Sequence, residues 1–350
     1  MNSTLENITL FSFQTNFSVS NDTGNLGGQE RSEMERKLKI ARAIFIVLSI
    51  LGITGNSLSF LALTKSKKLR NATTAFIVNL CVSDMLYCVA NLFVFFKPEW
   101  NQNSFYCRWF PMFRYWVAGE SVYLMIGITV NRFICVVYPK IYRAMYGPIY
   151  LSLQIGFTWF YALILALLPF FEVWGRYDYD MHVGLCTVLK LNGKSPKDFF
   201  FISAFAFPAI AFAVCYPVIF WVTHKASERV RKSSVVSPTV LNAVSEDVRG
   251  KRTTQADVKE LKILKMMLVI VVTFIICYFP VAFIKISEKE AQMPSFTLFA
   301  YFGVNLSNVI NPIIYIVMSA AYRKAYSELF QCHKIWSSLS TSSNAVLIKA

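Results

Sequence analysis

The chain has 350 residues, 55% apolar, 16% aromatic and 16% charged, with a net charge of +15. Soluble domains carry about 25% charged residues, so a fully solvated surface is excluded, and the apolar content excludes disorder. Eight cysteines in a chain this long are too sparse for a disulfide scaffold, and the location of the excess charge decides between nucleic acid, membrane surface and acidic partner.

Residues 1–38 read as a polar leading tail. It carries four N-x-Ser/Thr sequons, at Asn2, Asn7, Asn16 and Asn21, and clustered sequons mark a glycosylated, extracellular segment. No charged start, apolar core and cleavage site run together there, so the first apolar run is expected to act as the insertion signal. A helix crosses a bilayer with about 20 apolar residues. Seven runs meet that length, at 39–64, 72–97, 104–138, 149–171, 197–223, 259–286 and 292–319. The third contains Arg114, Glu120 and Arg132; it is kept because the stretches between them are uncharged and because omitting it spoils the alternation of loop charge. The expected fold is all-α, a seven-transmembrane helix bundle. A short amphipathic helix at 320–331 and a cytoplasmic tail at 332–350 complete it.

Loop charge sets the orientation. Lys65–Asn71 holds four cations and no acid, His224–Lys265 holds ten cations, and the alternate loops are mixed in sign. The leading tail is therefore expected outside a plasma membrane and the final tail in the cytoplasm. The inner segments hold 21 Lys/Arg and 6 acids, and the rest of the chain 14 of each. The whole +15 thus lies on one side, facing anionic membrane lipid, and no nucleic-acid partner is needed to explain it.

Cys107 and Cys186 fall on the outer, oxidising side, and a bridge between them is the expected state. It would tie the second outer loop to the top of span three. Cys332 follows the last span and is open to two readings, a palmitoylation site or a free thiol. Counted as helix, Cys107 to Arg132 covers about 37 Å, which puts Arg132 at the inner end. Arg132 either reaches lipid headgroups or exchanges partners as a switch. Asp84 is the single charge of span two, near mid-depth, where a carboxylate faces the bundle interior. Its candidate neighbours are Asn56, Ser121, Ser307 and Asn311. Either these groups hold a sodium ion, the one cofactor expected, or Asp84 is a hydrogen-bonded acid. Pro208, Pro280 and Pro312 interrupt spans five, six and seven, and each removes a backbone hydrogen bond and kinks its helix.

The residues form an ordered set: Gly55-Asn56, Asn79 through Asp84, Cys107, Asn131-Arg132-Phe133, Trp159, Pro208 with Tyr216, Phe274 through Pro280, and Asn311-Pro312 through Tyr315. Over about residues 42–330 the chain resembles the class A (rhodopsin-like) G-protein-coupled receptors. Two positions depart from the family pattern: Asn131 stands where an acid is usual, and Tyr278 where a Trp is usual. With these departures the sequence looks like the invertebrate moody and trapped-in-endoderm receptors and, more distantly, the melatonin receptors. The resemblance implies a receptor, not an enzyme, that passes binding of an extracellular ligand to a heterotrimeric G protein, with arrestin as a further partner. It implies that Asn131, Arg132, Phe133, Tyr216, Asn311, Pro312 and Tyr315 form the G-protein switch. Glu260, at the inner end of span six, either pairs with Arg132 in the closed state or is one more solvated charge. With Asn131 neutral, the first reading gives Glu260 more of the restraint.

In this family the ligand lies between spans three, five, six and seven in the outer half. The expected lining here is Arg114, Tyr115, Phe200, Phe201, Tyr278, Val281, Lys285, Tyr301 and Asn305. Amine receptors carry an Asp where this chain has Arg114, so an amine is not expected. An aromatic pocket with cations suits a lipid, an acid or another amphipathic anion. The other reading of Arg114 is an ion pair with Asp178 or Asp180. Glu120 lies on a different helix face from Arg114 and is given no role. The competing function is a multi-span transporter or channel, which would carry an internal repeat or a row of pore charges; neither is visible. Three isolated histidines give no support to a metalloenzyme, and the absence of Lys from 291–322 excludes a retinal Schiff base.

Overall fold

The computed structural model describes residues 28–96, 104–180, 185–194, 196, 199–200, 202–233, 243–287 and 292–329. The sequons at Asn2, Asn7, Asn16 and Asn21 lie outside them, as do Phe201, Cys332 and the side chain of Glu260.

Inside a bilayer every backbone polar group needs a partner within the protein, so long apolar runs become helices. The long helices are α1 (Gly28–Lys65), α2 (Ala72–Phe96), α3 (Ser104–Val137), α4 (Pro148–Phe170), α5 (Phe207–Ser233), α6 (Ala243–Ile286) and α7 (Pro294–Met318). Seven are long and apolar enough to cross a membrane. A short connecting helix, Pro139–Met145, follows α3, and a terminal helix α8 covers 320–329. Proline opens the connecting helix, α4 and α7, where its missing N–H costs nothing and its φ is already helical.

The architecture is nearly all helical, as expected. The exception among the described residues is an antiparallel hairpin, β1 (Arg176–Asp180) and β2 (Leu185–Leu189), with Tyr179 opposite Cys186. It lies at the Cys107 end of α3, tied there by the Cys107–Cys186 disulfide, whose Cα atoms are 5.1 Å apart. Tyr177 fixes its other strand by donating its hydroxyl to the Ala166 carbonyl of α4 at 3.0 Å. Asn192 and Gly193, both at positive φ, turn the chain back just beyond β2, the backbone that a two-residue Asn-Gly turn requires.

Helix α3 is the centre of the bundle and packs against α2, α4, α5 and α6. Its charged residues explain its weak apolar signal: Glu120 is fully buried and Arg132 is 6% exposed, both turned inward. Helix α4 behaves oppositely. Ile149, Leu153, Phe157, Phe160 and Ile164 are exposed along one face, at the three- and four-residue spacing of a lipid-facing stripe. Ala162 and Ala166 are buried on the other.

Of the three prolines singled out from sequence, Pro280 and Pro312 lie inside helices. Pro208 sits at the start of α5, directly after a π-helical turn, Ile202–Ala206. The wider turn takes up the proline ring that a regular helix would have to bend around. Pro217 is the interior proline of α5.

Candidate functional site

At the Cys107 end the helices and the hairpin enclose a cavity of about 200 Å³. Arg114, Tyr115, Phe200, Tyr278, Val281, Lys285 and Tyr301, all named from sequence, line it. Asn305 does not. It accepts a hydrogen bond from Asn91 Nδ2 at 2.7 Å and donates its own amide to the Tyr301 carbonyl at 2.8 Å, tying α2 to α7. Cys186 and Thr187 of the hairpin reach the cavity from above, and Tyr115 lies 3.3 Å from the Thr187 hydroxyl.

The Arg114 guanidinium lies 5.8 Å from the centre of the Tyr87 ring, and its buried Nε makes no hydrogen bond among the described residues. Asp178 does not serve it: that carboxylate pairs with Arg176 at 3.3 Å and accepts the Tyr179 amide at 2.8 Å. The Lys285 ammonium lies 5.7 Å from the Tyr301 ring, and Lys285 is 8% exposed. Two cations and five tyrosines, Tyr87, Tyr115, Tyr123, Tyr278 and Tyr301, therefore share one mostly apolar cavity. A cation against an aromatic face is attracted by the ring, and a guanidinium carries five N–H donors in a fixed fork.

Tyr278 is also the link to a second, much smaller cavity of about 10 Å³, lined by Asp84, Ser121, Ser307, Asn308 and Asn311 among others. Asp84 accepts from the Ser121 hydroxyl at 2.9 Å and from Asn311 Nδ2 at 2.9 Å. Asn56 is not part of this group. Its amide donates to the Gly52 and Asn308 carbonyls at 2.9 and 2.8 Å.

At the other end, Asn131 is fully buried. It accepts from the Thr73 hydroxyl of α2 at 2.6 Å and donates to the Tyr142 hydroxyl of the connecting helix at 3.4 Å. Arg132 follows it on α3. Phe133 packs instead toward Cys215, Ile219 and Leu264 at the α5–α6 side. Tyr315 is fully buried and stacks on Tyr322 of α8 with ring centres 5.6 Å apart; Tyr216 packs against the same central core. Arg323 Nη1 donates to the Ile316 and Val317 carbonyls at 3.0 Å each, which satisfies the free carbonyls ending α7.

Against this geometry, residues 55–315 match the model of the 7 transmembrane receptor (rhodopsin family). The chain belongs to that family. It is 29% identical over 355 residues to the G-protein coupled receptor moody of Drosophila pseudoobscura pseudoobscura, covering 84% of this chain and 53% of that receptor. The chain thus spans about half the length of the moody receptors it matches. It is 30% identical over 308 residues to the protein trapped in endoderm-1 of Drosophila melanogaster, covering 85% and 78% respectively. Among solved structures it shares the fold of squid rhodopsin, with a TM-score of 0.69, 21% identity, and coverage of 84% and 86%.

Several residues of the receptor's sites were not singled out in the sequence. Tyr87 lies three residues after Asp84, on the same helix face, and that spacing was a usable signal. Thr73 is bonded to Asn131, and Thr158 of α4 lies 2.8 Å from Glu120; partners on other helices leave no trace in local spacing.

Proposed function

We propose that this receptor binds an amphipathic anion at its Cys107 end, outside the cell, and engages a heterotrimeric G protein at its Arg132 end, inside. The observation that carries the ligand class is Arg114: its side chain lines a mostly apolar cavity beside Lys285, and its buried Nε has no hydrogen bond among the described residues. Arg114 has Tyr87 as a side-chain hydrogen-bond partner but its Nε has none. A buried donor left unsatisfied is unfavourable, and an acidic headgroup would add charge-assisted hydrogen bonds to the guanidinium while aromatic and aliphatic walls cover the rest of the ligand. The orientation rests on the one-sided charge of the loops and the sequons of the leading tail.

Ligand binding and G-protein binding are then two ends of one two-state equilibrium, each favouring the same state. Arg132, Tyr216 and Tyr315 change partners at the inner end, and Glu260 restrains the closed state. Arrestin takes the same inner face, and Cys332 carries a lipid that anchors the end of α8. The small cavity at Asp84 suits a sodium ion. Its lining offers a carboxylate, hydroxyls and amide groups around the room of about one water, a donor set for a hard cation. Asp84, Ser121, Ser307 and Asn311 would hold the ion there; Asn56, which does not line the small cavity, would not.

The test is nucleotide exchange on purified G proteins by the reconstituted full chain, challenged with alkyl carboxylates and alkyl phosphates. Wild-type receptor is expected to respond, and Arg114→Ala to lose the response while remaining folded. Ion flux without nucleotide exchange would favour a transporter.

A further inference from the structure

Four of the glycines in the membrane helices stand where a side chain would collide or press. A Cβ built at Gly127 would lie 2.7 Å from the Phe76 ring, one at Gly303 2.5 Å from the Cys277 carbonyl oxygen, and one at Gly55 3.2 Å from Pro312; at Gly52 it would meet the Cys88 sulfur. These glycines are required by close helix approach. Gly119, in the middle of α3, is different. A Cβ there would meet Ala162 at 3.7 Å and Tyr123 at 3.8 Å, both ordinary contacts. Packing does not require glycine at this position, and glycine in a helix interior is less favourable than alanine by about 1 kcal/mol. What its missing side chain provides is space.

That space belongs to the cavity that holds Arg114. Its lining continues from Arg114 down α3 through Ala118 and Gly119 to Val122, and across to Ala162 and Ala166 of α4. From Arg114 to Val122 the descent is about 12 Å. Among the described residues, no charged side chain lines this branch between α3 and α4. Its far wall is Tyr123, whose ring sits edge-on to Tyr161 with centres 5.1 Å apart. The cavity therefore has a cationic part at Arg114 and Lys285 and an apolar part, the α3–α4 branch, lined by Ala118, Gly119, Val122, Ala162 and Ala166.

We infer that the ligand is a single-chain amphiphile whose unbranched apolar tail lies in the α3–α4 branch, with Gly119 and Ala162 setting the chain length accepted. This rests on the anionic headgroup proposed above and adds to it a tail, a place for the tail and a limit on its length. A rigid, compact acid would leave the branch empty, whereas a linear chain fills a narrow apolar slot with each methylene it adds.

The experiment uses the full chain reconstituted with G protein. Three probe series are compared: linear alkyl carboxylates, alkyl phosphates and alkyl alcohols of about six to about eighteen carbons, read by nucleotide exchange and by thermal stabilisation. In wild type, potency should rise about fourfold per methylene to an optimum and then fall. Gly119→Ala and Ala162→Leu should move that optimum to shorter chains while short-chain potency is kept, and Gly119→Ala should raise thermal stability in the absence of probe. Arg114→Ala should weaken the two acid series at every length and leave the position of the optimum unchanged. An optimum unmoved in both branch variants overturns the tail assignment alone. Acid potency unchanged in Arg114→Ala overturns the headgroup alone, since the alcohol series still reads the branch. Absence of any length dependence in all three series overturns the tail assignment as well.

Discussion

At the Arg132 end of the bundle, Asn131 is held by Thr73 and Tyr142, the Ser59 and Tyr326 hydroxyls are paired, and Arg323 covers the last carbonyls of α7. At the Cys107 end, Arg114 lines a cavity of about 200 Å³, and its Nε has no hydrogen bond among the described residues. In the first region these polar groups are bonded within the chain, with the buried Tyr315 hydroxyl left over among the described residues, whereas in the second the polar atom left over, Arg114 Nε, belongs to a charged side chain that lines a cavity. In the first, polar substitutions should act on stability and on the balance of states. In the second, they should act on ligand response and leave the fold alone.

The largest expected effect is in the open region. Arg114→Ala should lower the potency of anionic probes by about 100-fold or more, the loss typical of truncating one member of a buried charge pair. Its melting temperature without ligand should stay level or rise, because a buried nitrogen without a hydrogen bond goes with the side chain and offsets the lost contact with Tyr87. A clear loss of thermal stability would make Arg114 a structural residue and erase the contrast between the ends.

Next comes the close contact of α6 and α7. Gly303→Ala should destabilise the receptor by about 2 kcal/mol, since the opposing atom is the Cys277 backbone oxygen rather than a side chain that can turn away. A thermal-shift assay on purified receptor reads this directly. Glu120 tests the middle. The Thr158 hydroxyl lies 2.8 Å from Glu120 Oε1 and 2.7 Å from the Ile155 carbonyl; one hydroxyl proton cannot serve both acceptors. The set closes if Glu120 carries a proton and donates to Thr158. Glu120→Gln, neutral and of the same shape, should then change stability by less than about 0.5 kcal/mol, while Glu120→Ala loses about 1.5 kcal/mol. An equal loss in both would assign the charge, not the hydrogen bond.

The smallest effects are at the closed end. Burial pushes the Tyr326 phenol up to about 12, so it is a neutral hydrogen-bonding group at physiological pH. Tyr326→Phe should remove about 1 kcal/mol by freeing α8 from Ser59. Glu260→Ala should raise ligand-free nucleotide exchange about threefold, the scale of a partly exposed ion pair. Unchanged basal exchange would return Glu260 to a solvated helix end.

The seven spans were legible because lipid allows an apolar run of that length only one backbone. Asp84 and its partners Ser121 and Asn311 were legible because a lone mid-membrane carboxylate has to find donors. Asn56 and Asn305 were misplaced for a shared reason. Each turns its amide back to the carbonyl four residues earlier, Gly52 and Tyr301 respectively, a local bond open to short polar side chains in helices. Position on a helix face does not fix that choice of rotamer. The branch beside Gly119 was illegible for another reason: it is made by the absence of atoms on two helices distant in sequence.

The chain Thr73–Asn131–Tyr142 has a consequence for proton linkage. An amide neither gains nor loses a proton across the physiological range. If Asn131 leaves these partners, no proton is exchanged with solvent on its account, so this contact contributes the same to the balance of states across the physiological pH range. A carboxylate at the same place would make that balance shift as the surroundings acidify. With Asn131 in position, any acid sensitivity at this end has to come from other groups, Glu260 among them, and not from the Thr73–Asn131–Tyr142 contact.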